Sequence, residues 1–173
     1  MSICLADFAD CSRLVSLINS AYRGENSKRG WTTEAAIIGG QYRILQPQLE
    51  ELMKKPGAVF LKSINEKEEP DGTVYLEKTG DQLYLGMLTV APGVQGKGTG
   101  HQLLLAAEAF AREQHCRSIF MRVIHLRQEL VEWYRRRGYY DTGRTEAFTP
   151  SADAVVLQPF HFIILEKVIP ALP

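Results

Sequence analysis

The chain has 173 residues, 45% of them apolar, and its 20 Lys and Arg are matched by 20 Asp and Glu for a formal net charge of zero. That size and apolar fraction suit one domain over 1–173 with a good-sized core. Neutral balance argues against nucleic-acid binding through bulk charge, and no apolar run is long enough to predict a membrane span.

The N-terminus, MSICLADFADCSRLV, lacks the basic start and long apolar centre of a secretion signal. Cys4, Cys11 and Cys116 are odd in number and lack metal-ligand spacing, so reduced thiols in a cytoplasmic protein, with no metal, are expected. Cys116 reads as a small packing residue.

In chain order, residues 2–6 predict a short strand. From Asp10 as N-cap, Leu14, Val15, Leu17, Ile18 and Ala21 recur with helical spacing, and that helix ends near Arg23-Gly24. A polar, glycine-punctuated stretch follows, with Trp31 expected to be buried. Thr32 or Thr33 ahead of Glu34 predicts capping of a short helix through Ile38. A further helix over Pro47–Lys55 is stopped by Pro56-Gly57. Strands are predicted at 58–64, in TVYLEKTG (73–80) and in QLYLGMLTV (82–90), joined by tight turns as an antiparallel meander.

The stretch LGMLTVAPGVQGKGTGH (85–101) comes next, a strand end stopped by Pro92 and then Gly93, Gly96, Gly98 and Gly100 directly before a helical run. The first N–H groups of a helix lack internal partners, and glycines let the main chain approach a phosphate. The loop therefore predicts a diphosphate cradle. A P-loop is excluded because Gly98 follows Gly96-Lys97 where Ser or Thr is required. A GxGxxG fingerprint fails because His101 or Leu103 stands at its last glycine, and Val123, Ile124 and His125 replace the acidic residue at the next strand end.

Beyond the loop, Leu103, Ala106, Ala107 and Phe110 give one helix face, and SIFMRVI (118–124) predicts a buried strand parallel to the earlier one. Leu126, Leu130, Trp133 and Tyr134 predict the face of another helix, ended by Arg135 to Arg137 and Gly138. Residues 139–144 and 160–168 predict the closing strands, with an irregular loop between Pro150 and Pro159.

Gln95-x-x-Gly98-x-Gly100 after Leu88-Thr89-Val90 resembles the signature Gln/Arg-x-x-Gly-x-Gly/Ala of the GNAT superfamily of acetyl-CoA-dependent N-acetyltransferases. The resemblance covers about Val59 to Lys167. It implies an α/β fold: a twisted mixed sheet of six or seven strands flanked by about four helices, with two parallel strands splayed around the cofactor. Acetyl-CoA would be the donor, and a small-molecule or peptide amine the acceptor. Backbone groups of Leu88 and Val90 would pair with pantetheine. The N–H groups of Gln95, Gly96, Lys97, Gly98, Thr99 and Gly100 would hold the diphosphate, with Lys97 adding a phosphate contact or remaining solvated. Dimers are common among relatives.

By the same resemblance Tyr134, in aromatic-Tyr-x-x-x-Gly138-Tyr139, is the catalytic acid that protonates the departing thiolate. Arg127 stands where the family commonly has Asn, and reads as a contact to cofactor phosphate or substrate carboxylate, or as a solvated helix-start residue. Tyr84 occupies the position where some members have a glutamate base, leaving Glu34, His125 or ordered water. Tyr22, Trp31, Tyr139 and Tyr140 are assigned to core packing, with an acceptor pocket as the alternative. The rival functions are a non-catalytic CoA-binding sensor or structural subunit and a nucleotide-binding protein.

Overall fold

The computed structural model describes residues 2–150 and 154–170. Among them the elements are β1 (Ser2–Leu5), α1 (Cys11–Tyr22), α2 (Gly24–Ser27), β2 (Ile38–Gly39), α3 (Gln46–Lys54), β3 (Ala58–Ile64), β4 (Pro70–Thr79) and β5 (Gln82–Val90), then α4 (Thr99–Glu113), β6 (Ser118–Ile124), α5 (Gln128–Arg135), β7 (Tyr140–Ala147), β8 (Val155–Val156) and β9 (His161–Val168).

Seven strands form one mixed sheet in the order β1-β3-β4-β5-β6-β9-β7, while β2 and β8 pair apart from it. Every neighbouring pair is antiparallel except β5 and β6. That exception follows from α4, because two parallel strands need a crossover long enough to hold a helix. Strand alternation divides the core. Leu83 and Leu85 of β5, with Ile119, Met121 and Val123 of β6, pack with Leu103, Leu104 and Ala107 of α4 and Val131 of α5. On the other side, Phe60 and Tyr75 pack with Leu14 and Ile18 of α1 and Leu49 of α3. Helices thus cover both sheet faces, as an alternating apolar pattern on a buried sheet requires.

Local expectations fail where distant partners decide. Asp10 is the N-cap residue of α1, but its side chain makes no cap hydrogen bond; its carboxylate accepts from the Asp7 N–H at 2.9 Å and from Lys62 at 2.5 Å, while Asp7 caps the preceding turn. Residues 34–38 form a turn rather than a helix, with the N–H groups of Ile37 and Ile38 both bonded to the Glu34 carbonyl. Trp31 is 48% exposed, not buried, and Tyr140 is equally open. Leu126 is exposed too, because the buried face of α5 is Val131 and Tyr134. The loop between Pro150 and Pro159 contributes β8, whose Val156 pairs with Ile38; residues 151–153 lie outside the described part. All three cysteines are free, and burial pushes the Cys11 and Cys116 thiols up, away from the reactive thiolate. No helix among the described residues is long and apolar enough to cross a membrane.

Burial also pushes the phenols of Tyr22, Tyr75, Tyr134 and Tyr139 above their ordinary range. A phenol raised in the folded state favours folding while it stays neutral. Its contribution is complete below about pH 10 and is lost as pH climbs toward the raised value. Melting temperature is therefore expected to fall steeply above about pH 10, in step with tyrosinate absorbance. Separation of the two transitions would contradict this.

Candidate active site

The parallel pairing of β5 and β6 is short. It joins Gln82 to Ser118, Leu83 to Ile119 and Tyr84 to Phe120, and then the strands part. Gln82 pins the closed end, its amide donating to Ser118 Oγ at 2.8 Å and Glu166 Oε1 at 3.0 Å. A bulge opens the other end. Met87 sits at φ 48°, and the register with β4 shifts between Thr73 and Tyr75. A cleft of about 1380 Å³ passes through the gap, linking the α4/α5 face to the α1 face.

The wall of this cleft is main chain. The Ala91 N–H bonds the Asp71 carbonyl on the β4 side at 2.8 Å, so alternation turns the Leu88 and Val90 N–H groups toward the gap. Their carbonyls already have side-chain donors. Tyr22 Oη donates to the Leu88 oxygen at 3.3 Å, and Gln95 Nε2 to the Val90 oxygen at 3.1 Å.

At the open end, Gly98 is the N-cap of α4 at φ 94°, and Gly96 has φ 82°. Among the described residues, no backbone N–H from Gln95 to His101 donates to a protein acceptor; the helix ladder begins with Gln102 N–H on the Gly98 carbonyl at 3.0 Å. Aligned unpaired amides at the start of a 15-residue helix make an anion site. Their disposition fits the diphosphate of coenzyme A. Thr99 is buried, with its methyl beside Gly72. Lys97 is exposed and faces the side of Ile3 and Gln102 rather than the cleft.

The two signature glycines serve different needs. A side chain at Gly98 meets no neighbour, but the left-handed φ strains it; a Cβ at Gly100 meets Trp133 and Val90 only at 3.5–3.6 Å, an ordinary contact. Gly98→Ala is expected to cost about 1–2 kcal/mol and to lower the melting point by roughly 2–8 °C. Gly100→Ala should shift it by less than about 2 °C. Thermal denaturation of both variants is the check, and equal losses would refute the assignment.

Tyr134 is 5% exposed and lines the cleft. Its ring makes edge contacts with Trp133 and Tyr139, at centroid distances of 5.0 and 5.7 Å. Burial above all, then the nearby Tyr22 hydroxyl, raises its phenol, while Arg127 pulls the other way. Among the described residues no protein group bonds its hydroxyl. It is a neutral phenol on the wall of the cleft.

Arg127 and Glu34 come together in one network. Glu34 is buried, bonded to Arg23 and 3.7 Å from Arg127, whose other nitrogen donates to Thr32 Oγ at 2.7 Å. Glu129 accepts from Thr32 at 2.8 Å and stands 3.9 Å from Arg127 Nε. His125 lies apart from the cleft wall, stacked on His161 at 3.9 Å with its Nδ1 3.2 Å from the His161 main chain. Tyr22 and Tyr84 line the cleft, whereas Tyr139 belongs to the core under α4 and α5.

Sequence reasoning missed two working side chains. Gln95 acts through its amide as well as its backbone, holding the Val90 carbonyl and accepting from the Trp31 N–H at 2.9 Å. Arg23 turns inward because the chain leaves α1 in an extended conformation there. An arginine directly after an amphipathic helix, followed by glycine, was the available signal.

A mixed sheet splayed at one parallel pair, with an anion-binding helix start at the mouth of the gap, defines an acyltransferase fold. The model of the acetyltransferase (GNAT) family matches residues 17–139. The chain belongs to that family, which sets its chemistry as acyl transfer. Solved structures agree on the fold. The ribosomal-protein-S18-alanine N-acetyltransferase of Escherichia coli is 12% identical with a TM-score of 0.73, over 99% of this chain and 95% of that one. A ribosomal-protein-alanine N-acetyltransferase from Brucella melitensis is 17% identical with a TM-score of 0.72, over 97% and 99%. An aminoglycoside 6'-N-acetyltransferase complexed with coenzyme A is 16% identical with a TM-score of 0.71, over 100% and 99%. No match was found among curated protein sequences.

Proposed function

We infer that the protein transfers an acetyl group from acetyl-CoA to an amine. The observation that carries this reading is the run of N–H groups from Gln95 to His101 with no protein acceptor among the described residues, at the same end of the cleft as the gap-facing amides of Leu88 and Val90. The loop amides would take the diphosphate, and the two strand amides would take the pantetheine arm. Acetyl-CoA supplies a thioester whose carbonyl carbon accepts the amine. As the N–C bond forms, negative charge grows on the carbonyl oxygen, and the Val90 N–H would receive it. The C–S bond then breaks, and the Tyr134 phenol gives its proton to the departing thiolate. The amine's own proton leaves to water in the open cleft, because Glu34 is already engaged by two guanidiniums.

The test is thermal shift with acetyl-CoA, ATP and NAD, followed by thiol release with amines of varied class. Acetyl-CoA alone should raise the melting point, and at least one amine should yield free thiol. Stabilisation without turnover of any amine would favour a CoA-binding sensor. No stabilisation by acetyl-CoA would end the reading.

A further inference from the structure

The acceptor side of the cleft is unbalanced in charge. Several of its ions cancel in pairs: Lys55 with Glu77 at 3.4 Å, Lys54 with Glu51 at 2.8 Å, and Arg122 with Glu146. Three of the remaining charges, Arg23, Glu34 and Arg127, are largely buried. Arg23 and Arg127 share the single carboxylate of Glu34, and the Nε of each is buried with no hydrogen-bond partner. Arg43 adds a third guanidinium, 5.6 Å from the Tyr22 ring, with no carboxylate partner among the described residues. Half-exposed Glu129 is the other anion nearby, and its hydrogen bond goes to Thr32. Positive charge exceeds negative in a chain whose total charge is zero. Two buried guanidiniums that share one buried carboxylate, each with an unpartnered Nε, leave room for a further anionic group on this wall. A guanidinium fork suits a carboxylate in particular.

An apolar wall adjoins it, for the Arg127 N–H bonds the Ile124 carbonyl at 3.0 Å. Ile124 on β6 faces Phe162 on β9, and Phe148 packs edge-on against Phe162 at 5.9 Å. Phe120, on the same face of β6, lies against Tyr84 at 5.5 Å. The Tyr22 hydroxyl on Leu88 and the gap-facing amides line the same cleft.

Resting on the acetyl-transfer reading, we propose that the acceptor is a free amino acid with a large apolar or aromatic side chain. Arg127, buttressed by Arg23 and Glu34, takes its carboxylate. The Ile124–Phe148–Phe162 wall takes its side chain, and its amine is left facing the Leu88–Val90 edge. A polycationic amine meets the wrong charge here, and a peptide N-terminus lacks the neighbouring carboxylate.

The test measures kcat/KM on the full chain with acetyl-CoA and matched amines: L-phenylalanine, L-phenylalaninamide, phenethylamine and the polycation kanamycin. L-Phenylalanine should exceed the amide and the simple amine by about 10- to 100-fold, the worth of a charged hydrogen-bonded contact. Arg127→Gln should erase most of that preference and leave the calorimetric Kd for acetyl-CoA unchanged. The wild-type ratios stand as evidence even if the variant fails to fold. Equal or better turnover of the amide, phenethylamine or kanamycin would overturn the proposal. So would a weakened acetyl-CoA Kd in Arg127→Gln with the acceptor preference intact, since Arg127 would then serve cofactor phosphate. Binding of acetyl-CoA with no turnover of any protein amino acid overturns the acceptor assignment alone. Failure to bind acetyl-CoA overturns the acetyl-transfer reading with it.

Discussion

Tyr134→Phe is expected to lower kcat by about 10²–10³-fold, within the range of a lost general acid, and to leave acetyl-CoA affinity within about twofold. The substitution keeps the ring and its edge contacts with Trp133 and Tyr139, and removes a hydroxyl that no protein group among the described residues bonds. Folding stability should therefore hold or rise slightly. The phenol lies above its ordinary range, so it stays protonated across the physiological span. In the parent enzyme, activity should climb with pH as the acceptor amine loses its proton, with no falling limb below about pH 10. A variant that keeps full turnover, or one that loses acetyl-CoA, would remove Tyr134 from the acid's role.

Glu34→Ala should be the most damaging single change to stability. It strands the guanidiniums of Arg23 and Arg127 inside the protein without their shared carboxylate. Removing one partner from a buried ion pair typically costs about 3–5 kcal/mol, which for a chain of this length lowers the melting point by roughly 6–20 °C. Adding Arg23→Met should recover part of the loss, because an apolar side chain of similar length removes the stranded charge. Glu34→Gln, which retains an acceptor oxygen, should fall between. Denaturant unfolding of the single and double variants measures the coupling. A loss under about 1 kcal/mol for Glu34→Ala would mean the charges relax into solvent.

The stretch from Gln82 to Ile124 was readable almost residue by residue, because its signals are local. Apolar alternation marks the strands, glycine and proline mark the turn, and helical spacing marks α4. The stretch from Trp31 to Gly39 was not readable. Trp31 is held by Gln95, 64 positions away, and Thr32 by Arg127, 95 positions away. Contacts of that range leave no trace in spacing, and capping residues before Glu34 suggested a helix that the fold does not use. Two-residue strands such as β2 and β8 are too short to show a period. Tyr134 was singled out through its Trp-Tyr-x-x-x-Gly-Tyr context and lines the cleft, but the Arg23–Glu34–Arg127 network needed three dimensions. Glu34 stood as a candidate base and Arg127 as a candidate ligand contact, but nothing in their spacing joins them to each other or to Arg23.

One amide group ties the two halves of the site into a single mechanical unit. Gln95 grips the donor strand at Val90 and the acceptor loop at Trp31, and a Cβ at Gly30 would stand 2.5 Å from its oxygen. Thermodynamic reciprocity then applies: whatever factor the nucleotide end contributes to seating the incoming amine, that amine returns to the nucleotide. Gly30→Ala, which crowds that amide, is expected to weaken any such coupling and bring the two affinities toward independence.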